Sequence, residues 1–242
     1  MAETPKYKRI LLKIGGEALL GDREHGISPE ACLNVANEIK AVFDLRVQIG
    51  LVIGAGNLWR GEPASKNGID RATADYMGML ATVMNGLAMQ DALEQVGIPT
   101  RVQTAIEMRA IAEPFIRRRA LRHMEKGRLV ILSAGVGSPY FTTDSGAALR
   151  ALELNCEVLL KATKVDGVYD KDPLKFPDAH RFSTMKFVDA IKDPNINVMD
   201  TAALSLCMDN HIPIYVFNLA VPGNLKRAVM GEDIGTMVND LA

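Results

Sequence analysis

The chain has 242 residues, 48% of them hydrophobic and 24% charged, a composition that suits a globular protein with a substantial core. Lys and Arg number 28 against 29 Asp and Glu, a net charge of −1. That balance argues against nucleic acid or an anionic membrane as the main partner and leaves room for a local anion site.

The opening MAETPKYKRILLKI is a short polar lead into a strand-like segment. It has no signal h-region, and no later run reaches membrane-spanning length, so a cytoplasmic location is expected. The predicted strands are Arg9–Ile14, residues 49–54, Thr100–Thr104, Leu129–Ser133, residues 158–161 and residues 213–218. Near-continuous apolar runs such as LVILS suit a sheet covered on both faces. A helix is predicted over residues 28–45, with Ser28 as N-cap and Pro29 at its first position. Cys32, Val35, Ala36, Ile39, Val42 and Phe43 share one stripe of it. A longer helix is predicted over Arg71–Gln95, its Met77, Met79, Met84 and Met89 serving a core or a subunit interface. Residues 166–182 read as a long surface loop, and Arg117, Arg118, Arg119 and Arg122 as a solvated helix face. Alternating strands and helices imply an α/β fold with a mainly parallel sheet. Without repeat or linker, residues 1–242 are expected to form one domain.

Three glycine-containing turns each follow a predicted strand, where α/β sheets bind ligands. The first is Lys13-Ile14-Gly15-Gly16-Glu17. Its glycines permit close approach of backbone to phosphate, and Lys13 adds a full charge. A plain tight turn would look the same. The second, Gly54-Ala55-Gly56-Asn57-Leu58-Trp59-Arg60-Gly61, adds Arg60 as a phosphate fork. Its register is wrong for GxGxxG, and two anion-binding turns on successive strands fit two phosphate-bearing ligands better than one dinucleotide. The third runs Ser133-Ala134-Gly135-Val136-Gly137-Ser138-Pro139-Tyr140-Phe141-Thr142-Thr143-Asp144-Ser145. Asp144 there is either a helix cap or the partner of Lys13 or another cation. The segment Lys161-Ala162-Thr163-Lys164, followed by Tyr169 and Asp172, suits a nucleoside pocket or a solvated hairpin.

No glycine is followed by lysine, which excludes the P-loop pattern, and no HRD or DFG set occurs. The cysteines Cys32, Cys156 and Cys207 form no disulfide framework. The histidines His25, His123, His180 and His211 are scattered and are each expected on the surface or in loops.

In this order the segments resemble the amino acid kinase superfamily, and within it the bacterial uridylate kinases. The narrower resemblance rests on Gly16-Glu17-Ala18-Leu19, Gly56-Asn57-Leu58-Trp59-Arg60-Gly61 and Asp75 followed by Met77-Gly78-Met79-Leu80-Ala81-Thr82-Val83-Met84-Asn85-Gly86-Leu87-Ala88. It continues through Phe141-Thr142-Thr143-Asp144-Ser145, residues 161–168, Val198-Met199-Asp200 and Val216-Phe217-Asn218. That family usually has serine at position 15 and glycine at position 55.

The resemblance implies a single-domain three-layer α/β/α sandwich that transfers the γ-phosphoryl group of ATP to UMP. Relatives within the superfamily phosphorylate carboxylates or carbamate, or store oxyanions without catalysis. The implied catalytic residues are Lys13, Asp144, Lys161 and Asp200. ATP would be bound by Lys13, Ile14, Gly15, Gly16, Gly56, Arg60, Thr163, Tyr169 and Asp172. UMP would be bound by Ala55, Asp75, Val136, Gly137, Ser138, Pro139, Tyr140, Phe141, Thr142 and Thr143. Mg²⁺ would be held mainly through ATP phosphates, with no metal site of the protein's own. A homohexamer activated by GTP and inhibited by UTP is also implied.

Overall fold

The computed structural model describes residues 4–60, 68–173, 175–193, 196 and 198–240. Gly61 of the second glycine turn and Leu174 of the 166–182 segment lie outside them. In chain order the strands are β1 (Arg9–Ile14), β2 (Gln48–Ile53), β3 (Thr100–Thr104), β4 (Glu113–Pro114), β5 (Leu129–Ser133) and β6 (Val158–Thr163). They continue with β7 (Val168–Tyr169), β8 (Arg181–Phe182), β9 (Thr184–Lys186), β10 (Ile214–Asn218) and β11 (Gly235–Asn239). The helices are α1 (Pro29–Phe43), α2 (Arg71–Gln95), α3 (Arg117–Glu125), α4 (Thr143–Glu153), α5 (Phe187–Lys192), α6 (Thr201–Asp209) and α7 (Asn224–Met230). A short 3₁₀ turn, Gly16–Leu19, follows β1.

The main sheet runs β4-β3-β5-β2-β1-β6-β10-β11-β9. Its pairs are parallel except β10 with β11. Side chains alternate across it, as strand geometry requires. Ile10, Leu12 and Ile14 of β1 join the core beneath α1, α2 and α7. Leu11 joins the opposite core beneath α3, α4, α5 and α6. The result is three layers, α/β/α. Ser28 caps α1 through the amide of Ala31 at 3.3 Å, with Pro29 at the first helical position. Among the described residues no helix is long and apolar enough to cross a membrane.

Two sequence expectations need correction. Residues 166–182 are not simply a loop, because β7 and β8 close their base as an antiparallel pair. His123 is buried rather than superficial: Nε2 lies 2.9 Å from Glu113 Oε2, and Nδ1 lies 3.0 Å from Arg128 Nη1. The α2 methionines divide, with Met79 and Met89 in the core and Met77 and Met84 exposed. The three cysteines are free and buried, and the four arginines of the basic run are exposed on α3.

Candidate active site

Strand alternation puts Lys13 on the α4 side of the sheet, two residues beyond Leu11. Lys161 follows Leu159 in the same way on β6, and the parallel register sets Lys13 directly opposite Lys161. Like charges facing each other on neighbouring strands repel, so the pair needs an anion. The start of α4 supplies it. Thr142 is the N-cap, its hydroxyl oxygen accepting from the amides of Asp144 at 3.0 Å and Ser145 at 3.3 Å. That turn aims Asp144 at both lysines: Oδ1 lies 2.7 Å from Lys13 Nζ and Oδ2 lies 2.7 Å from Lys161 Nζ.

All three side chains are at most 15% exposed. Burial pushes the Asp144 carboxyl up, but the two ammonium groups outweigh it and hold it below the usual carboxylate range. Burial likewise lowers Lys161, partly offset by Asp144. The contact of Asp144 Oδ1 with Lys13 is a buried ion pair.

Gly16 of the first turn is required by space, and Gly15 before it does not need glycine for handedness. Gly15 has φ −72°. A Cβ on Gly16 would lie 2.3 Å from Asn57 Oδ1 and 2.7 Å from the Gly54 carbonyl oxygen. Ala55 is not among the residues with left-handed backbone, so the family's glycine is dispensable there. The third turn differs. Ala134, Gly135, Gly137 and Tyr140 all have positive φ, between 56° and 85°. A loop bent this tightly is stored strain held by its surroundings. One hold is Asp75, whose Oδ2 accepts from the Tyr140 amide at 2.8 Å while Arg71 Nε grips both carboxylate oxygens at 2.9 and 3.0 Å.

Sequence reasoning missed a buried amide pair behind the second turn. Asn85 Nδ2 donates to Asn57 Oδ1 at 2.8 Å and to the Gly54 carbonyl at 2.7 Å. Asn57 Nδ2 donates to Asn85 Oδ1 and to the Gly26 carbonyl, both at 2.9 Å. Both side chains are buried and well provided with partners. Replacing Asn85 by leucine orphans the Gly54 carbonyl and one amide of Asn57. A loss of about 2–4 kcal/mol is expected, read as a lower urea midpoint at unchanged m-value.

Two cavities flank these turns. The larger, about 1030 Å³, is lined by Lys13, Ile14, Gly15, Glu17, Arg60 and Thr163 with parts of α1 and the β10–α7 connection. The smaller, about 130 Å³, is lined by Ala55, Trp59, Asp75, Val136, Ser138, Phe141, Thr142 and Thr143 with others. Of the residues expected around ATP, Gly16, Gly56, Tyr169 and Asp172 lie outside the larger cavity's lining, and the Tyr169 hydroxyl donates to Asp166. Of those expected around UMP, Gly137, Pro139 and Tyr140 lie outside the smaller one's lining. Asp75 belongs to the second turn of α2, whose N-cap is Asp70, rather than to its start. Asp200 makes no ion pair with either lysine among the described residues. It caps α6 through Ala203 N at 2.9 Å and accepts from the Ser145 and Thr142 hydroxyls. The Thr142 hydroxyl is thereby committed to Asp200 and to the start of α4, while Ser138 and Thr143 also bring hydroxyls to the cavity lining. Among the described residues no group of three or more His, Cys, Asp or Glu is placed to hold a metal.

A sheet whose strand ends present glycine turns, two facing lysines and a bridging aspartate defines an anion-handling α/β protein. The amino acid kinase family model matches residues 8–218, and the chain belongs to that family. It is similar to the crystal structure of UMP kinase from Bacillus anthracis, at 39% identity and TM-score 0.93, over 98% of this chain and 97% of that one. It is also similar to UMP kinase from Ureaplasma parvum, at 35% identity and TM-score 0.90, over 97% and 100% of the two chains. A more distant likeness, to uridylate kinase from Archaeoglobus fulgidus, has 26% identity and TM-score 0.71 over 95% and 99%.

Proposed function

We propose that this chain is a UMP kinase that transfers the γ-phosphoryl group of ATP to UMP, giving ADP and UDP. The observation that carries the reading is the Lys13–Asp144–Lys161 bridge, whose Lys13 lines the larger cavity and whose Asp144 follows Thr143 of the smaller one's lining, in a chain alike end to end to UMP kinases. ATP takes the larger cavity, with Lys13, Ile14, Gly15, Arg60 and Thr163 against its phosphates and sugar, and Gly16, Gly56, Tyr169 and Asp172 at the margin. UMP takes the smaller, with its ribose at Asp75 and its base along Val136, Ser138, Phe141 and Thr143.

Phosphoryl transfer needs alignment and positive charge on the moving group more than covalent help. Lys13 and Lys161 supply that charge, and Asp144 holds the two ammonium groups together. The UMP phosphate is already anionic near neutral pH, so no catalytic base is required. The ATP phosphates would hold Mg²⁺, which would supply further positive charge to the transferring group.

Residues 1–242 act as one domain in this reading, located in the cytoplasm. The exposed apolar stripe Tyr76, Met77, Leu80 and Met84 on α2 supports self-association, and the homohexamer itself follows from the family resemblance. Activation by GTP and inhibition by UTP follow from the family resemblance alone.

A panel of acceptors at fixed Mg-ATP tests the reading. UMP is expected to exceed CMP in kcat/KM by roughly 10³–10⁴-fold, because a cytosine amine would leave polar groups of a desolvated pocket unpaired. AMP and GMP should be poorer still, and aspartate, glutamate and carbamate inert. If CMP matches UMP, or a carboxylate is the better acceptor, the uridylate reading fails.

A further inference from the structure

Glu17 is a carboxylate set where a phosphate-binding site calls for positive charge. It stands in the 3₁₀ turn after β1, and both of its oxygens lie over glycines of different turns. A Cβ on Gly56 would lie 2.1 Å from Oε1, and one on Gly15 would lie 2.7 Å from Oε2. The room made by those two glycines is therefore filled by a carboxylate. Arg60, the arginine of the second turn, is engaged there too: its Nη2 lies 2.8 Å from Glu17 Oε1, while its Nε makes a long 3.4 Å contact with the Gly56 carbonyl. Glu17 also lines the larger cavity.

A phosphate against Gly15, Gly56 and Arg60 would meet this charge at close range, and like charges in a partly desolvated cleft repel strongly. Glu17 and a phosphate cannot both hold this place. The Glu17–Arg60 pair is easily opened, because Arg60 is 63% and Glu17 29% exposed, and such pairs are weak.

We propose that Glu17 is a displaceable internal anion, which fills the phosphate cradle and engages Arg60 until the phosphate of a nucleotide takes its place. The inference rests on the phosphoryl-transfer reading of this site. Arg60 exchanges one anion for another, so the guanidinium never stands unpaired in the cleft. The exchange lowers apparent affinity by the fraction of time Glu17 occupies the cradle.

Calorimetric titrations of wild type, Glu17→Gln and Glu17→Ala with Mg-ATP, UMP and inorganic phosphate test this. Glutamine keeps the shape and removes the charge, and alanine removes both. Each variant is expected to bind phosphate, and the nucleotide seated at Arg60, about 3- to 10-fold more tightly than wild type, with the gain shrinking at high salt. Unchanged or weaker binding in both variants overturns the proposal. Weaker Mg-ATP binding with phosphate binding unchanged also overturns it, by making Glu17 a ligand of the nucleotide's cation. If wild type binds neither nucleotide while phosphate binding still tightens in the variants, the kinase reading falls and the internal anion stands. If no probe binds any of the three proteins, both fall.

Discussion

Lys13→Ala is expected to lower kcat by on the order of 10²-fold or more while raising the KM for UMP far less. The ammonium group acts on charge that develops as the phosphoryl group moves, so its loss falls on the transition state more than on the bound substrates. The geometry favours a clean experiment. With Lys13 gone, Asp144 keeps Lys161 at 2.7 Å, so the buried carboxylate retains a counter-charge and the fold should survive. Steady-state kinetics with each substrate varied in turn separates the two parameters, and near-ultraviolet circular dichroism checks the fold. A rise in KM with kcat untouched would remove Lys13 from the catalytic role.

Much of this site was legible because its parts sit at strand ends. Lys13, the two glycine pairs and Lys161 all lie where an apolar run stops, and that pattern survives in one dimension. What brings them together does not. The register that sets Lys13 opposite Lys161 depends on how β1 and β6 pair across more than a hundred residues, and no local pattern encodes it. Asp144 is a helix-start acid like many others until the third turn's left-handed residues aim it. Asp200, expected among the catalytic residues, also has a tertiary tie that no local pattern encodes: its carboxylate joins the starts of α4 and α6. The Asn57–Asn85 pair left no trace either, since asparagine in a helix reads as a solvated residue; only the packing of α2 against the Gly54 turn buries it. The edge of the sheet was missed for a related reason. β11 begins with Gly235 and is five residues long, and its pairing with β10 and β9 is decided by tertiary contacts rather than by strand propensity.

Asp144→Asn should damage both stability and catalysis, and the two losses share one cause. The substitution removes the only carboxylate that pairs with Lys13 and Lys161 among the described residues, and leaves two buried ammonium groups side by side. Removing one partner of a buried ionic cluster costs about 3–5 kcal/mol, which for a chain of this size lowers Tm by roughly 6–20 °C. The pH dependence has a definite sign. Asp144 has its carboxyl held below the ordinary range in the folded protein. It therefore contributes stability that is fully present above the unfolded value, about 3.9, and is lost as pH falls through the lower folded value. The acid limb of the wild-type stability curve should accordingly be steeper than that of Asp144→Asn. Activity should fall by on the order of 10²-fold, because repelling lysines no longer converge on the transferred group. Lys161→Met separates repulsion from a general loss of packing. Alone it should destabilise, since it also takes the Lys161 ammonium away from the Val198 carbonyl that accepts from it. In the Asp144→Asn background it should cost less or even restore stability, because it removes one of two uncompensated charges. A double-mutant cycle by urea unfolding is expected to give a coupling above about 1 kcal/mol. Strict additivity would mean that the bridge seen between the two lysines does not hold them.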